Sequence, residues 1–463
     1  GKEDMLARYD FLQEFLKQSK QFGALRRESE GKTVTFALAN LARNAGFSDT
    51  NRFTWSMETE KMAALAPYLQ PIRIGEVELC VSVDEQGIAS LRVEKNGKTL
   101  KSVPASLKKD ETVVKCKEVL KSLKDQYKRA RASLEQAMVS EAAFSMPELT
   151  ELTRHPVIQP LLRDLVFTCA EGIGYLRDGA LVDVAGARIE VRPDAALLIA
   201  HPVHLYESGK WSDFQRDIVK GQVKQPFKQV FRELYRPNAD ELASKTISKR
   251  YAGHQIQPNK TVALLRGRGW TVSYEEGLQR VYHAENVIGH IYALADWFSP
   301  ADVEAPTLEE VHFTHRKTGK LLPFDEIPPV IFSEVMRDVD LVVSVAHVGG
   351  VDPETSLSTI EMRAVLVAEM LRLMKLDNVS IKGTHAHIAG KLGDYTVHLG
   401  SGQVHKMASG AVHILPVHAQ HRGRIFLPFV DEDPRTAEII SKITLLAEDK
   451  KIKDPNILEQ LRG

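Results

Sequence analysis

The stretch 77-VELCVSVDEQGIASLRVEKNG-97 decides the fold class of this chain. Successive side chains of a strand point to opposite faces. Val77, Leu79, Val81 and Val83 therefore share one apolar face. Gln86-Gly87 marks a turn, and Leu91 and Val93 lie on the returning strand. Asn96-Gly97 is a strong hairpin signal, because both residues accept the positive φ that such a turn demands. This small sheet is expected to end near Pro104. On both sides the period is helical: Leu6, Tyr9, Leu12, Phe15 and Leu16 within residues 4–30, then Met57 to Leu69, stopped before Pro71, and later Val114 to Met138. A chain that changes period in this way is α+β.

Working outward, the sequence predicts three parts. Residues 1–150 form a helical region with a β-hairpin insert. Residues 151–325 form a central α+β domain. Residues 326–463 form a helix pair plus a β-rich domain capped by short helices. The central part is expected to hold a buried strand over 195–200 and helices over 211–220, 226–235 and 240–251. Strands follow over 271–274, 278–283, 287–293 and 308–314. The last part opens with helices over 329–345 and 357–374, followed by strands over 378–388, 394–399, 403–407, 411–418 and 424–429. Asp433-Pro434 and Asp454-Pro455 each open a short terminal helix, with Asp as N-cap and Pro at the first helical position.

The 463 residues give a prior of about three domains. Lys+Arg and Asp+Glu both number 61, so there is no molecule-wide basic field and a nucleic-acid role would need a local patch. The candidate is the helix over 114–138, which carries Lys115, Lys117, Lys121, Lys124, Lys128, Arg129 and Arg131, opposed between Lys115 and Arg131 by only Glu118 and Asp125. It reads first as a solvated helix face and second as a phosphate-backbone contact. Cys80, Cys116 and Cys169 lie far apart with no C-x-x-C pair, which fits a reducing, cytoplasmic setting. No apolar run reaches the ~18 residues of a membrane span. The opening Gly1-Lys2-Glu3-Asp4 has no signal-peptide core, and the expectation is a piece of a longer protein.

Seven of the sixteen histidines fall between His385 and His421. His385 and His387 are two apart on an expected strand and so share a face, which can present two imidazoles to one metal. His398 and Asp394 complete the candidate ligand set for one divalent metal, with His405, His413 and His418 on neighbouring strands. That set would serve a metal-assisted hydrolase or nuclease, Asp394 acting as a ligand or as the base that activates water. It competes with ordinary structural or partner-facing histidines. The run Asp431-Glu432-Asp433 is read as a helix cap, and Glu334-Arg337-Asp338 as an ion network within one helix. In the centre, Gln225, Gln229 and Arg232, together with Arg266 and Arg268 of the RGRGW stretch, are the candidate ligand-binding groups. P-loop, G-x-G-x-x-G and G-x-S-x-G patterns are missing.

Several stretches together resemble the molybdate metabolism regulator-like family of large bacterial proteins, which is defined by a domain of unknown function. They are Leu134-Glu135-Gln136-Ala137-Met138, His155-Pro156, Leu165-Val166-Phe167, and Ala200-His201-Pro202 with Trp211. The 225–229 and 231–233 blocks, Ala252-Gly253-His254, Arg268-Gly269-Trp270, 333–338, 390–395 and Leu427-Pro428-Phe429 join them. The resemblance covers the chain from about residue 40 onward. It implies an accessory or regulatory binding module of a larger intracellular bacterial protein. The partners it implies are other domains of the parent chain or a protein partner, and nucleic acid.

Overall fold

Asn96 and Gly97 both take positive φ, +50° and +75°, and close the hairpin that the sequence marks there. A computed structural model of the chain describes residues 1–273, 277–293, 305–346, 357–407, 410–412, 426–430 and 434–462. The chain divides into two compact units, Gly1–Ile199 and Ala200–Gly463.

The first unit opens with α1 (Lys2–Ser19), α2 (Ala24–Asn44) and α3 (Thr50–Leu65), packed around Tyr9, Ala42, Phe53 and Met57. An antiparallel sheet follows in simple order: β1 (Ile72–Ile74), β2 (Val77–Val83), β3 (Ala89–Lys95) and β4 (Lys98–Thr99). Its apolar face lies on α4 (Glu111–Val139) through Val81, Cys116, Val119 and Leu123. Asp110 starts α4 by accepting the backbone N–H groups of Thr112 and Val113. Gly87 packs so closely that an added Cβ would meet the Val157 carbonyl oxygen at 2.8 Å. Next come α5 (Met146–Leu152) and α6 (Ile158–Arg163). A second sheet then runs β8-β7-β6-β5-β9, from β5 (Val166–Cys169), β6 (Gly172–Arg177), β7 (Ala180–Val182), β8 (Arg188–Ile189) and β9 (Leu198–Ile199). The strand expected over 195–200 is therefore only two residues long, extended by a bridge from Leu197 to Phe144.

The second unit begins with α7 (Pro202–Glu207), α8 (Trp211–Lys220) and α9 (Ala239–Ser244). No helix forms over 226–235. Pro226 has no N–H, the Gln225 side chain takes the Val230 N–H at 3.1 Å, and Gln225 itself bridges to Phe429. Phe227, Phe231 and Tyr235 are still buried, so the apolar spacing marked the core but not its backbone. The helix expected over 240–251 stops at Ser244, because Lys245 turns left-handed (φ +70°) into β10 (Ile247–Ser248). After α10 (Pro258–Arg266), a sheet forms from β10, β11 (Thr271–Ser273), β12 (Gly277–Tyr282), β13 (Val287–Ala293) and β14 (Leu308–His315), in the order β10-β14-β13-β12-β11. One of its faces shares a core with α11 (Pro329–Ala346) through Phe313, Phe332, Val335 and Val339.

Then come α12 (Leu357–Met374) and a meander of β15 (Val379–Lys382), β16 (His385–Ala389), β17 (Asp394–His398), β18 (Val404–Lys406) and β19 (Gly410–Val412). The single strand expected over 378–388 is folded into a hairpin at Gly383, where φ is +56°. Two helices close the unit, α13 (Pro434–Ala447) and α14 (Pro455–Arg462). The expected strand residues 413–418 and 424–425, and the run Asp431–Asp433, lie outside the described residues. No described helix is long and apolar enough to cross a membrane, and all three cysteines are free.

Candidate functional site

Three places in the fold gather the groups that the sequence singled out. The first is the polar face of α11. Glu334 is 1% exposed and receives Arg232 as a fork, Nε to Oε1 at 2.8 Å and Nη2 to Oε2 at 2.7 Å. His201 caps α7, its Nδ1 accepting the Val203 N–H, which leaves Nε2 protonated to donate to Glu334 at 3.0 Å. Burial pushes the Glu334 carboxyl up, but Arg232 and His201 outweigh it and hold the group well below the usual range. One turn on, Asp338 accepts Arg268 Nε, Trp270 Nε1 at 2.8 Å and Arg280 Nη1 at 2.9 Å. Arg337 donates to Glu233, which also takes Lys228. Asp340 accepts the hydroxyls of Tyr235 and Thr359. Glu334, Arg337 and Asp338 thus pair with distant segments, where an intrahelical network was expected.

Of the candidate binding residues, Gln225, Gln229, Arg232 and Arg268 converge on this interior and Arg266 does not. Gln225 and Gln229 are fully buried. Gln225 Nε2 donates to Gln229 Oε1 at 2.8 Å, and Gln229 Nε2 donates to the Ala200 carbonyl at 2.9 Å. Arg268 is partly exposed and spends its Nε on Asp338. Arg266 sits on the exposed end of α10. Sequence reasoning missed His201, Trp270 and Arg280 as partners. A His-Pro pair opening a helix was the available signal for His201, since a side-chain acceptor is wanted there.

The second place is the outer face of the C-terminal sheet. His385 lies opposite His398 and His387 opposite Thr396, with His405 on the far side of Thr396. The rings of His385 and His398 are 4.8 Å apart. His398 Nδ1 is held by the Ser401 hydroxyl and backbone N–H, and His385 Nδ1 meets the Thr384 hydroxyl. Burial lowers the His385 pKa, and the neighbouring His387 and His405 add to the effect. Asp394 stands at the opposite end of β17, in a groove it shares with His387, Ser380 and Asp377. Among the described residues, no three His, Cys, Asp or Glu side chains are placed to hold one metal ion. His413, His418 and His421 lie outside the described residues.

The third place is α4. Its buried side carries Val113, Cys116, Val119, Leu123, Gln126 and Ala130. Lys117, Lys121, Lys124 and Lys128 are exposed, and their 4-3-4 spacing lines them up on the opposite side. Lys115 is paired with Glu118 at 3.2 Å. No ion pair involving the other four appears among the described residues.

Comparison with known families gives three matches. Residues 97–270 are similar to a domain of unknown function (DUF4132), residues 360–461 to a domain of unknown function (DUF7737), and residues 1–57 to a family of unknown function (DUF5724). No curated protein and no solved structure matches the chain. These matches replace the resemblance to the molybdate metabolism regulator-like family: none of the three points to it, and the shared short blocks do not carry that assignment. The DUF4132 match supplies most partners of the α11 network, from His201 to Trp270. Glu334 and Asp338 lie outside all three matches.

Proposed function

We propose that this chain is an accessory or regulatory binding module of a larger cytoplasmic protein, and that α4 is its contact for nucleic acid. The observation that carries this reading is the lysine stripe: four exposed side chains without ion-pair partners among the described residues, in line over about 16 Å of helix at 1.5 Å per residue. A row of ammonium groups neutralises a phosphate backbone without reading bases, so the contact would be strong in charge and weak in sequence preference. The three free thiols support a reducing compartment. The buried arginines support a different role for the centre. Their carboxylate partners hold the fold's interior, and the binding surface lies elsewhere.

Titration of duplex and single-stranded nucleic acid against salt tests this. Four phosphate contacts predict a log–log slope of about −3 to −4, or roughly a hundredfold weaker binding between 50 and 200 mM salt. Replacing Lys117, Lys121, Lys124 and Lys128 together by Gln should remove most of that slope. Absence of binding at low salt, or binding with no salt dependence, would sink the reading. The hydrolase alternative gains no supporting geometry from the described histidines.

A further inference from the structure

Behind α4, on the side away from the lysines, five polar atoms face one small enclosed space. They are Trp55 Nε1, Glu58 Oε2, both amide atoms of Gln126, and His155 Nε2. The four residues are between 1% and 4% exposed, and none of these atoms makes a hydrogen bond of ordinary geometry within the protein, although the His155 ring lies near the Glu58 backbone carbonyl. Orphaned buried polar groups are rare in folded proteins, and five around one point are a built site.

Their chemistry identifies the occupant. Trp55 Nε1 can only donate. His155 Nδ1 accepts the Val157 N–H at 3.1 Å, so its proton sits on Nε2 and points into the space. Glu58 Oε1 is already engaged by the Tyr9 hydroxyl and by Arg129 at 2.7 Å, which leaves Oε2 as an acceptor. Gln126 offers one acceptor and one amino group. An anion would meet the Glu58 carboxylate and satisfy no acceptor. A cation would leave the Trp55 and His155 N–H groups unmet. A neutral molecule with two donors and two lone pairs meets both kinds, and the space admits a molecule the size of water. We propose that one long-lived water molecule is bound here as a structural ligand, accepting from Trp55 and His155 and donating to Glu58 and Gln126. It ties α3, α4 and the α5–α6 connection of the first unit into one polar joint, which independent helix packing would not do.

The test uses the full chain. In water-selective NMR, the Trp55 indole N–H, assigned by its loss in Trp55→Phe, should show a direct cross-peak to a slowly exchanging water. Gln126→Leu keeps the indole, removes one of the four hydrogen bonds to the water and faces it with methyl groups, and the cross-peak should weaken. A wild-type Trp55 indole signal with no water cross-peak would overturn the proposal. So would a cross-peak unchanged in Gln126→Leu, because the indole would then be sampling bulk solvent. A high-resolution crystal structure gives an independent reading. A water within hydrogen-bond distance of at least three of the five atoms supports the site. Direct pairing of His155 with Glu58 and no water between them refutes it.

Discussion

Arg232 and Glu334 form a fork that is 1% exposed at both ends, in an interior where neither charge has water to fall back on. A buried pair of this kind adds little net stability over a well-packed apolar pair, yet removing one member strands the other charge. Arg232→Ala and Glu334→Ala should therefore each lower unfolding free energy by about 3–5 kcal/mol, read as a shift in the denaturant midpoint. A midpoint that does not move would mean the pair is solvated in solution. His155 makes a second prediction at this scale. Burial lowers its pKa from 6.5 to about 4 against the pull of Glu58. Between those values the unfolded chain takes up a proton that the folded chain refuses, so stability is full above pH 6.5 and falls as the pH drops toward 4. The slope is at most about 1.4 kcal/mol per pH unit. Replacing His155 by Asn, which can still accept the Val157 N–H, should flatten that part of the stability–pH curve. A wild-type curve already flat from pH 7 to about 4 would contradict the assignment.

At the scale of elements, α4 has two unlike sides. One side packs on the β1–β4 sheet, and the other carries the lysine row. If the row is the contact, register should matter more than charge count. Lys115→Gln removes a cation that is already paired with Glu118 and should leave nucleic-acid affinity nearly unchanged. Lys121→Gln, in the middle of the row, should reduce the salt slope by about one unit. Equal effects from the two variants in a salt-dependent binding assay would show a diffuse attraction with no defined face. Periodicity made elements such as α4, α8, α11 and α12 legible, because long amphipathic stretches advertise a 3.6-residue repeat. It failed over 226–235. There the aromatics recur every four residues, but Pro226 and the side-chain amide of Gln225 draw the backbone out of helix. It failed again over 378–388, where a period of two on each side of Gly383 hides the turn between two short strands.

For the whole molecule, the two compact units each contain their own cores, Tyr9–Phe53 and Val81–Leu123 clusters in one and the α11-centred cluster in the other. Chains built this way seldom unfold in a single step. Heating should give two transitions, with Trp55 reporting the first unit and Trp211 and Trp270 the second. Coincident transitions by every probe would show one cooperative block. The DUF4132 match runs across residues 199 and 200, so the family segment and the compact unit do not share a boundary. By itself the sequence determined the α+β class, most of the long helices, the 77–97 hairpin and the cationic face of α4. Each depends on neighbours within a few residues, and local spacing is enough to specify them. Only the tertiary structure decided that Gln225, Gln229 and Arg232 turn inward, that Glu334 and Asp338 collect arginines 58 to 102 residues away in the chain, and that His385 and His398 stand ring to ring. A polar side chain's partner is chosen by where distant segments pack, and no short window of sequence contains that information.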